Sequence, residues 1–289
     1  MTSSIWDNKE DREMNLEEKL KKLEEIITGY GQMIVALSGG VDSTFLLTFA
    51  AKVYAEAGCP DNVAAITATG PQFAEDESEY AASLCEKLSI SHKKLDASFV
   101  LDSIRDNPAD RCYHCKKALF SMLKARADMV GSVLADGTNL DDLDDYRPGY
   151  RAIQELEVAS PLKEAGLTKA EIREALAGMD VREASDKART PAFACLMTRI
   201  PFGEAITVEK LEMIYAAEDY LKSRGFTQVR VRCHEISGGC LARIELEPQE
   251  MDGLTVASAI EIDAKIKDIG FSFVTLDLGG YEKGKMNNL

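Results

Sequence analysis

The chain has 289 residues, 45% of them hydrophobic and 29% charged, enough to bury one large core or two moderate ones. A net charge of −15 disfavours a broad nucleic-acid surface, and no window reaches 18 apolar residues, so neither a polynucleotide nor a membrane is the expected partner. Seven cysteines, an odd number and mostly far apart, do not resemble a secreted disulfide framework, and the polar start MTSSIWDNKEDREMNLEEK has no signal-peptide core; a cytoplasmic protein is expected.

Leu16, Leu20, Leu23, Ile26 and Ile27 recur at helical spacing and predict an amphipathic helix after a polar, frayed start. Residues 33–37 read as a buried strand. Ser38-Gly39-Gly40-Val41-Asp42-Ser43 follows at once, then a helix from near Thr44 to about Tyr54. Strands predicted at 63–69, 92–95 and 132–135 alternate with helices at 75–88 and 112–127. That alternation predicts an α/β fold, a mostly parallel sheet flanked by helices. Ligands on such sheets sit beyond the carboxyl ends of the strands, which makes the loops at Ser38, Thr69, the neighbourhood of Asp96, and Asp136 candidates for one pocket.

After Asp141 the order breaks up. Short helices are predicted at 152–158 and 168–177, the second opened by Thr168 with Glu171 three residues on, and 186–201 reads as an aperiodic loop. From Thr207 the texture changes to a helix (208–224), an alternating strand (228–234), a return through Gly238-Gly239 into 241–246, a helix (254–269) and a last strand (271–276). This predicts a smaller C-terminal α+β domain, with the division falling at 1–190 and 191–289. The alternation places Arg230, Arg232 and His234 on one side of their strand.

The Ser38–Ser43 junction is an anion site on physical grounds. Two glycines let the backbone turn and approach a ligand, while the first N–H groups of the helix and the hydroxyls of Ser38, Ser43 and Thr44 converge. Neither the lysine of a Walker A loop nor the G-x-G-x-x-G fingerprint is present. Magnesium would be held against phosphate oxygens by Asp42 and by either Asp136 or Asp96, Asp136 having the better context in Asp-Gly-Thr-Asn. Asp141, Asp142, Asp144 and Asp145 form either a solvated run or a metal-attracting rim.

Cys112-x-x-Cys115 is open between a redox pair, half of a zinc site and packing residues. Cys59 and Cys85 read as packing residues. Cys195 lies in an aperiodic loop with Arg199 close by, so it reads either as an activated nucleophile or as an inert thiol.

The Ser38–Ser43 stretch resembles the pyrophosphate-binding loop of the ATP pyrophosphatase superfamily, whose adenine nucleotide α-hydrolase-like domains split ATP into AMP and pyrophosphate. A longer resemblance runs through ALSGGVDSTFLL, NPADRCYHCKKALF, DGTNLDDLDDYRPGYRA, SPLKEAGLTKAEIR, PAFACLMTRIPFGEAIT, RVRCHE with ARIEL, and DLGGYEKGKMN. Together these motifs look like the LarE family, ATP-dependent sulfur transferases of nickel-pincer nucleotide cofactor biosynthesis, the cofactor of lactate racemase. The resemblance implies adenylation of the carboxylates of pyridinium-3,5-dicarboxylic acid mononucleotide and their conversion to thiocarboxylates.

By the same resemblance, Ser38, Gly39, Gly40, Asp42 and Ser43 bind the pyrophosphate of ATP, with Asp42 helping to position the metal; Thr69 and Asp136 are placed on the same sheet edge by the topology, Asp136 as the further Mg²⁺ candidate. Cys195 is the sulfur-bearing cysteine, Arg199 and Glu204 stand near it, and Arg230 and Arg232 face the anionic nucleotide. One branch of the family uses an iron–sulfur cluster on three cysteines. Here Met197, Thr198 and Ile200 follow Cys195 with no second cysteine, favouring the sacrificial form, with Cys112 and Cys115 left as alternative cluster ligands.

The rival readings are another adenylating enzyme of this fold, such as a tRNA thiolase, and a non-enzymatic nucleotide sensor. Net charge, the lack of a glutaminase portion and the Cys195 motif point away from the first; the second would bind ATP without substrate-dependent pyrophosphate release. A homo-oligomer is expected from the family and from exposed strand edges in the small domain.

Overall fold

The structure is a computed structural model that describes residues 14–143, 148–190, 195–282 and 284–288. Helices run α1 Leu16–Gly29, α2 Val41–Glu56, α3 Glu75–Lys87, α4 Val100–Ser103, α5 Arg111–Asp128, α6 Pro148–Glu155, α7 Pro161–Glu164, α8 Lys169–Ala177, α9 Arg182–Lys187, α10 Val208–Ser223, α11 Pro248–Met251 and α12 Val256–Ile269. Strands run β1 Met33–Ala36, β2 Val63–Thr69, β3 Ser91–Asp96, β4 Val133–Ala135, β5 Val229–Ile236, β6 Gly239–Leu246 and β7 Phe273–Leu276. Two compact units result, one drawn from residues 14–69, 75–97 and 112–190, the other from 70–74, 98–111 and the described residues beyond 194.

The first unit is the α/β layer structure. Its four strands are all parallel, in the order β3-β2-β1-β4. Both faces of β1 are buried, as a parallel strand requires. Met33 and Val35 pack in one core with Leu23 and Ile27 of α1 and Phe45 and Leu46 of α2. Ile34 points the other way, into a second core with Phe120 and Leu123 of α5 and Ile153 of α6. The edge strand β3 is mostly exposed and carries Lys93 and Lys94, charges that discourage pairing with another sheet edge.

Several boundaries differ from the sequence expectation for identifiable reasons. α2 begins at Val41 rather than near Thr44, because Gly40 takes the extended N-cap conformation (φ −77°, ψ 166°) and turns Asp42 and Ser43 into first-turn residues. α6 starts at Pro148, since proline's missing N–H costs nothing in a first helical turn, and it ends at Glu155 rather than 158. The stretch expected to be aperiodic from 186 to 201 contains the end of α9 and a 3₁₀ turn, Leu196–Arg199. Residues 191–194 lie outside the described residues, as do Asp144, Asp145 and most of the start expected to fray. α8 has the expected reciprocal cap between Thr168 and Glu171, and Glu171 also takes the ammonium of the buried Lys19 at 2.7 Å.

The second unit is built on the β5–β6 hairpin, whose register runs from Val229↔Leu246 to Ile236↔Gly239 around Ser237-Gly238. β7 joins β6 in parallel. Val229, Val231 and Cys233 are fully buried on one face of β5, against which α10 packs with Leu211, Ile214 and Leu221 buried. Arg230 and Arg232 alternate to the other face, as the sequence predicts, yet they are buried as well.

A short polar chain crosses the parallel sheet. The Thr67 hydroxyl donates to Leu37 O at 2.8 Å, so its oxygen accepts from His92 Nε2, also at 2.8 Å. Burial, and then the nearby Lys94 charge, lower the His92 pKa below 6.5. The folded state therefore binds this proton less readily than the unfolded state. His92 contributes stability that is full above its unfolded pKa and declines as pH falls through the window below it. Urea unfolding of the wild type between pH 7.5 and 5.5 is expected to show this loss. His92→Gln should lose less stability over the same interval, and an identical pH dependence would refute the assignment.

Candidate active site

Topology locates a ligand site within the first unit. β1 passes through α2 to β2 on one side, while β4 lies on the other side of β1, so the chain reverses direction across the sheet between β1 and β4. The loops leaving the carboxyl ends of these two strands flank a natural ligand crevice.

The loop after β1 is organised by its own hydroxyls. Ser43 Oγ donates to Gly40 O (3.2 Å) and accepts from Ser38 N (3.2 Å), while Ser38 Oγ accepts from Gly40 N (3.2 Å) and lies 3.1 Å from Ser43 Oγ. Gly40 offers α2 no side-chain cap, so the N–H groups of the first helical turn are not consumed by one. With the helix dipole behind them they favour an anion. Gly39 has φ +80°, and a Cβ there would stand 2.6 Å from Glu77 O, so no other residue fits without rearrangement.

The loop after β4 abuts this turn. A Cβ on Gly137 would lie 2.9 Å from Ser43 N, which shows how closely the Asp136–Asn139 turn packs on the start of α2. Asp136 is buried, and its carboxylate accepts from Thr138 N (3.2 Å), Thr138 Oγ1 (2.5 Å) and Ser160 Oγ (2.8 Å). Asp42 is half-buried in the first turn of α2. This donor set fits magnesium through Asp42, a hard carboxylate beside a phosphate-binding loop, whereas Asp136 is already engaged in fixing its own turn. Thr69 ends β2 with its hydroxyl on Leu95 O (3.3 Å). Among the described residues, no three His, Cys, Asp or Glu side chains come together as a metal-holding group.

In the second unit, Cys195 opens the 3₁₀ turn at Leu196–Arg199, and its thiol donates to Gln72 O at 3.6 Å. The Arg199 guanidinium is fully buried. It donates Nε and Nη2 to the two carboxylate oxygens of Glu218, both at 2.8 Å, and Nη1 to Cys195 O at 3.0 Å. Arg232 forks onto Glu245 Oε2 (2.9 and 2.6 Å) and sends Nη1 to Thr198 O at 3.0 Å. Two buried, charge-neutralised arginines therefore grip the backbone of the cysteine turn. Glu218 further accepts from Val231 N at 3.0 Å, tying α10 to β5.

Arg230 stands opposite Glu245 in the ladder, donates to Val229 O at 2.7 Å and lies 5.1 Å above the Tyr281 ring. Burial, followed by the Arg199 charge, lowers its pKa, while Glu218 and Tyr281 act in the opposite sense. An anion brought beside this cluster would relieve the repulsion between guanidinium groups. Glu204 caps the N–H of Glu235 at 2.8 Å.

Gln72, Glu218 and Glu245 carry no sequence signal of their own. Each meets its partner only through tertiary structure. Near the start of α5 Cys112 is exposed and Cys115 buried, and burial pushes the Cys85 thiol up to about 11, as suits a packing residue.

A glycine loop feeding an uncapped helix at the carboxyl edge of a parallel sheet defines a nucleotide-phosphate-binding α/β domain, and residues 12–107 match the PP-loop domain family. The chain is 37% identical over 279 residues to an uncharacterized protein of Synechocystis sp., covering 95% of this chain and 98% of the relative. It is 34% identical over 259 residues to the pyridinium-3,5-bisthiocarboxylic acid mononucleotide synthase of Lactiplantibacillus plantarum, covering 89% of each. An uncharacterized protein of Methanocaldococcus jannaschii is 31% identical over 270 residues, 92% of this chain and 94% of its own length. The chain belongs to the LarE family of ATP-utilising PP-loop enzymes.

Gly39→Ala is expected to weaken ATP binding at least about tenfold by calorimetry, since strain of this kind costs about 1–3 kcal/mol and moves the loop that the anion needs. Glu218→Gln should lower the stability of the second unit by about 3–5 kcal/mol in chemical unfolding, because it leaves the Arg199 charge buried without its counterion. Unchanged values in either measurement would contradict the corresponding role.

Proposed function

We propose that this protein is an ATP-dependent sulfur transferase that adenylates the carboxylates of pyridinium-3,5-dicarboxylic acid mononucleotide and transfers sulfur to them from Cys195. The observation that carries this reading is the Cys195 turn, a half-buried thiol on a backbone fixed by two buried arginines, in a chain related over most of its length to a pyridinium-3,5-bisthiocarboxylic acid mononucleotide synthase.

A carboxylate is a poor electrophile. Attack of its oxygen on ATP gives an acyl-adenylate and pyrophosphate, and AMP is then the leaving group. Ser38, Gly39, Gly40 and Ser43 cradle the pyrophosphate through N–H groups and hydroxyls, with Thr69 at the neighbouring strand end. Magnesium, when bound through Asp42, supplies positive charge to the phosphate oxygens, while Asp136, the second acid expected to help hold it, fixes the adjoining turn. Arg230 supplies positive charge for the anionic nucleotide, whereas Arg232, expected to share that role, is neutralised by Glu245 and holds the Cys195 turn through Thr198 O.

The Cys195 thiolate attacks the acyl carbon, a C–S bond forms, and AMP departs. Removal of the Cys195 Cα proton then expels the thiocarboxylate by breaking Cβ–S, leaving dehydroalanine at position 195. Arg199 fixes the carbonyl of the reacting residue, and Glu204 orients the following segment through Glu235. Seven free cysteines suit the reducing cytoplasm, where we place the reaction, and we expect a homo-oligomer.

Incubating the protein with ATP, magnesium and the dicarboxylated nucleotide should remove one H₂S from each chain that forms product, mapped by mass spectrometry to Cys195. Cys195→Ala should abolish product while retaining ATP binding. Thiolated product accumulating over many turnovers at unchanged protein mass would replace this reading with the iron–sulfur-dependent form, Cys112 and Cys115 then being the residues to test. Pyrophosphate release on other carboxylates alone would leave only an adenylating enzyme.

A further inference from the structure

The backbone that carries Cys195 is fixed at its other end by a second clamp, which belongs to neither arginine already described. Asn107 is fully buried and adopts φ +50°, a left-handed conformation that asparagine tolerates better than most side chains. Its Nδ2 donates to two consecutive carbonyls, Ile200 O at 3.2 Å and Pro201 O at 2.6 Å. Its Oδ1 accepts from Arg111 Nη1, and its backbone oxygen accepts from Gly203 N at 3.0 Å. Arg111, also buried, donates to Ile200 O at 3.2 Å and lies 4.5 Å from the Phe202 ring centroid. A further backbone bond, Ile206 N to Arg105 O at 2.8 Å, extends the lacing.

We propose that Asn107 and Arg111 are positioning residues for Cys195, acting through the carbonyls of Ile200 and Pro201. From Cys195 to Pro201 the chain forms no strand and only one turn of 3₁₀ helix, so its orientation depends on who holds its carbonyls. Arg199 and the Thr198 hydroxyl hold Cys195 O, and Arg232 holds Thr198 O. The Asn107–Arg111 pair holds the remaining end. Proline lacks an N–H, so residue 201 cannot anchor itself by donation. An amide with two N–H donors in a plane matches two successive carbonyls, which a hydroxyl or a carboxylate cannot do.

The test uses the full chain. Asn107→Asp keeps the shape and the Arg111 partnership but removes both donors; Arg111→Lys keeps the charge but loses the planar fork over Phe202. Three readouts are taken: thermal melting, iodoacetamide alkylation of Cys195 followed by peptide mapping with Cys112 as internal reference, and single-turnover sulfur transfer at saturating substrates.

In both variants the ratio of Cys195 to Cys112 alkylation is expected to change at least about threefold and the single-turnover rate to fall about ten- to a hundredfold with the substrate half-saturation little altered, since small displacements of a reacting group cost this much. Unaltered alkylation and transfer in two folded variants would overturn the proposal. So would loss of cooperative melting in both, which would make the clamp purely structural. The proposal rests on Cys195 as the reacting cysteine, but the two fail separately: if wild-type protein transfers no sulfur from Cys195, the alkylation ratio still judges the clamp.

Discussion

A buried turn outside helix and strand needs its backbone satisfied by side chains, and that constraint shapes the second unit. Seven residues from Cys195 to Pro201 would otherwise expose unpaired carbonyls in a buried setting, each costing about as much as a lost hydrogen bond. The fold meets this with buried guanidinium groups, and each buried charge brings a further demand. Arg199 requires Glu218 and Arg232 requires Glu245. Those carboxylates sit on α10 and β6, so the hairpin and its covering helix are committed to the turn. Ion pairs of this kind add little net stability against a hydrophobic replacement. Their value here is directional, because a planar fork fixes where a carbonyl points.

The first unit solves a different problem with fewer parts. A pyrophosphate needs many weak donors in one concavity rather than one strong charge. Parallel strand, glycine turn and helix provide them from the backbone itself. Ser38 and Ser43 bond to each other and to the loop backbone, so the turn is braced by its own side chains. Preorganisation of this kind lowers the ordering cost at binding.

How much of this was legible in the sequence depended on distance along the chain. The Ser38–Ser43 loop spans six residues and fixes its own geometry, so its motif, strand and following helix could be read directly, though not the start of that helix at Val41. The Thr168–Glu171 cap was legible for the same reason. Alternation along β5 correctly put Arg230 and Arg232 on one face, but not their burial, which follows from Glu245 across the hairpin and from the elements packed above them. Glu218 looked like an ordinary helix-surface glutamate. Nothing local reveals that a guanidinium nineteen residues earlier (218 − 199) folds onto it. Asn107-Pro108 read as a lead-in to the next helix because the two carbonyls its amide holds lie more than ninety residues away.

The Cys195 turn is braced through main-chain oxygens, while the sulfur donates to Gln72 O. Chemistry that removed the sulfur would delete none of the arginine, asparagine and carboxylate groups that brace this turn. On the sacrificial reading, a spent molecule would then keep its shape and its resistance to proteases. Quality control that senses unfolding could not tell it from a fresh one, so the ageing of this protein population would be written in one side chain and be invisible to the fold.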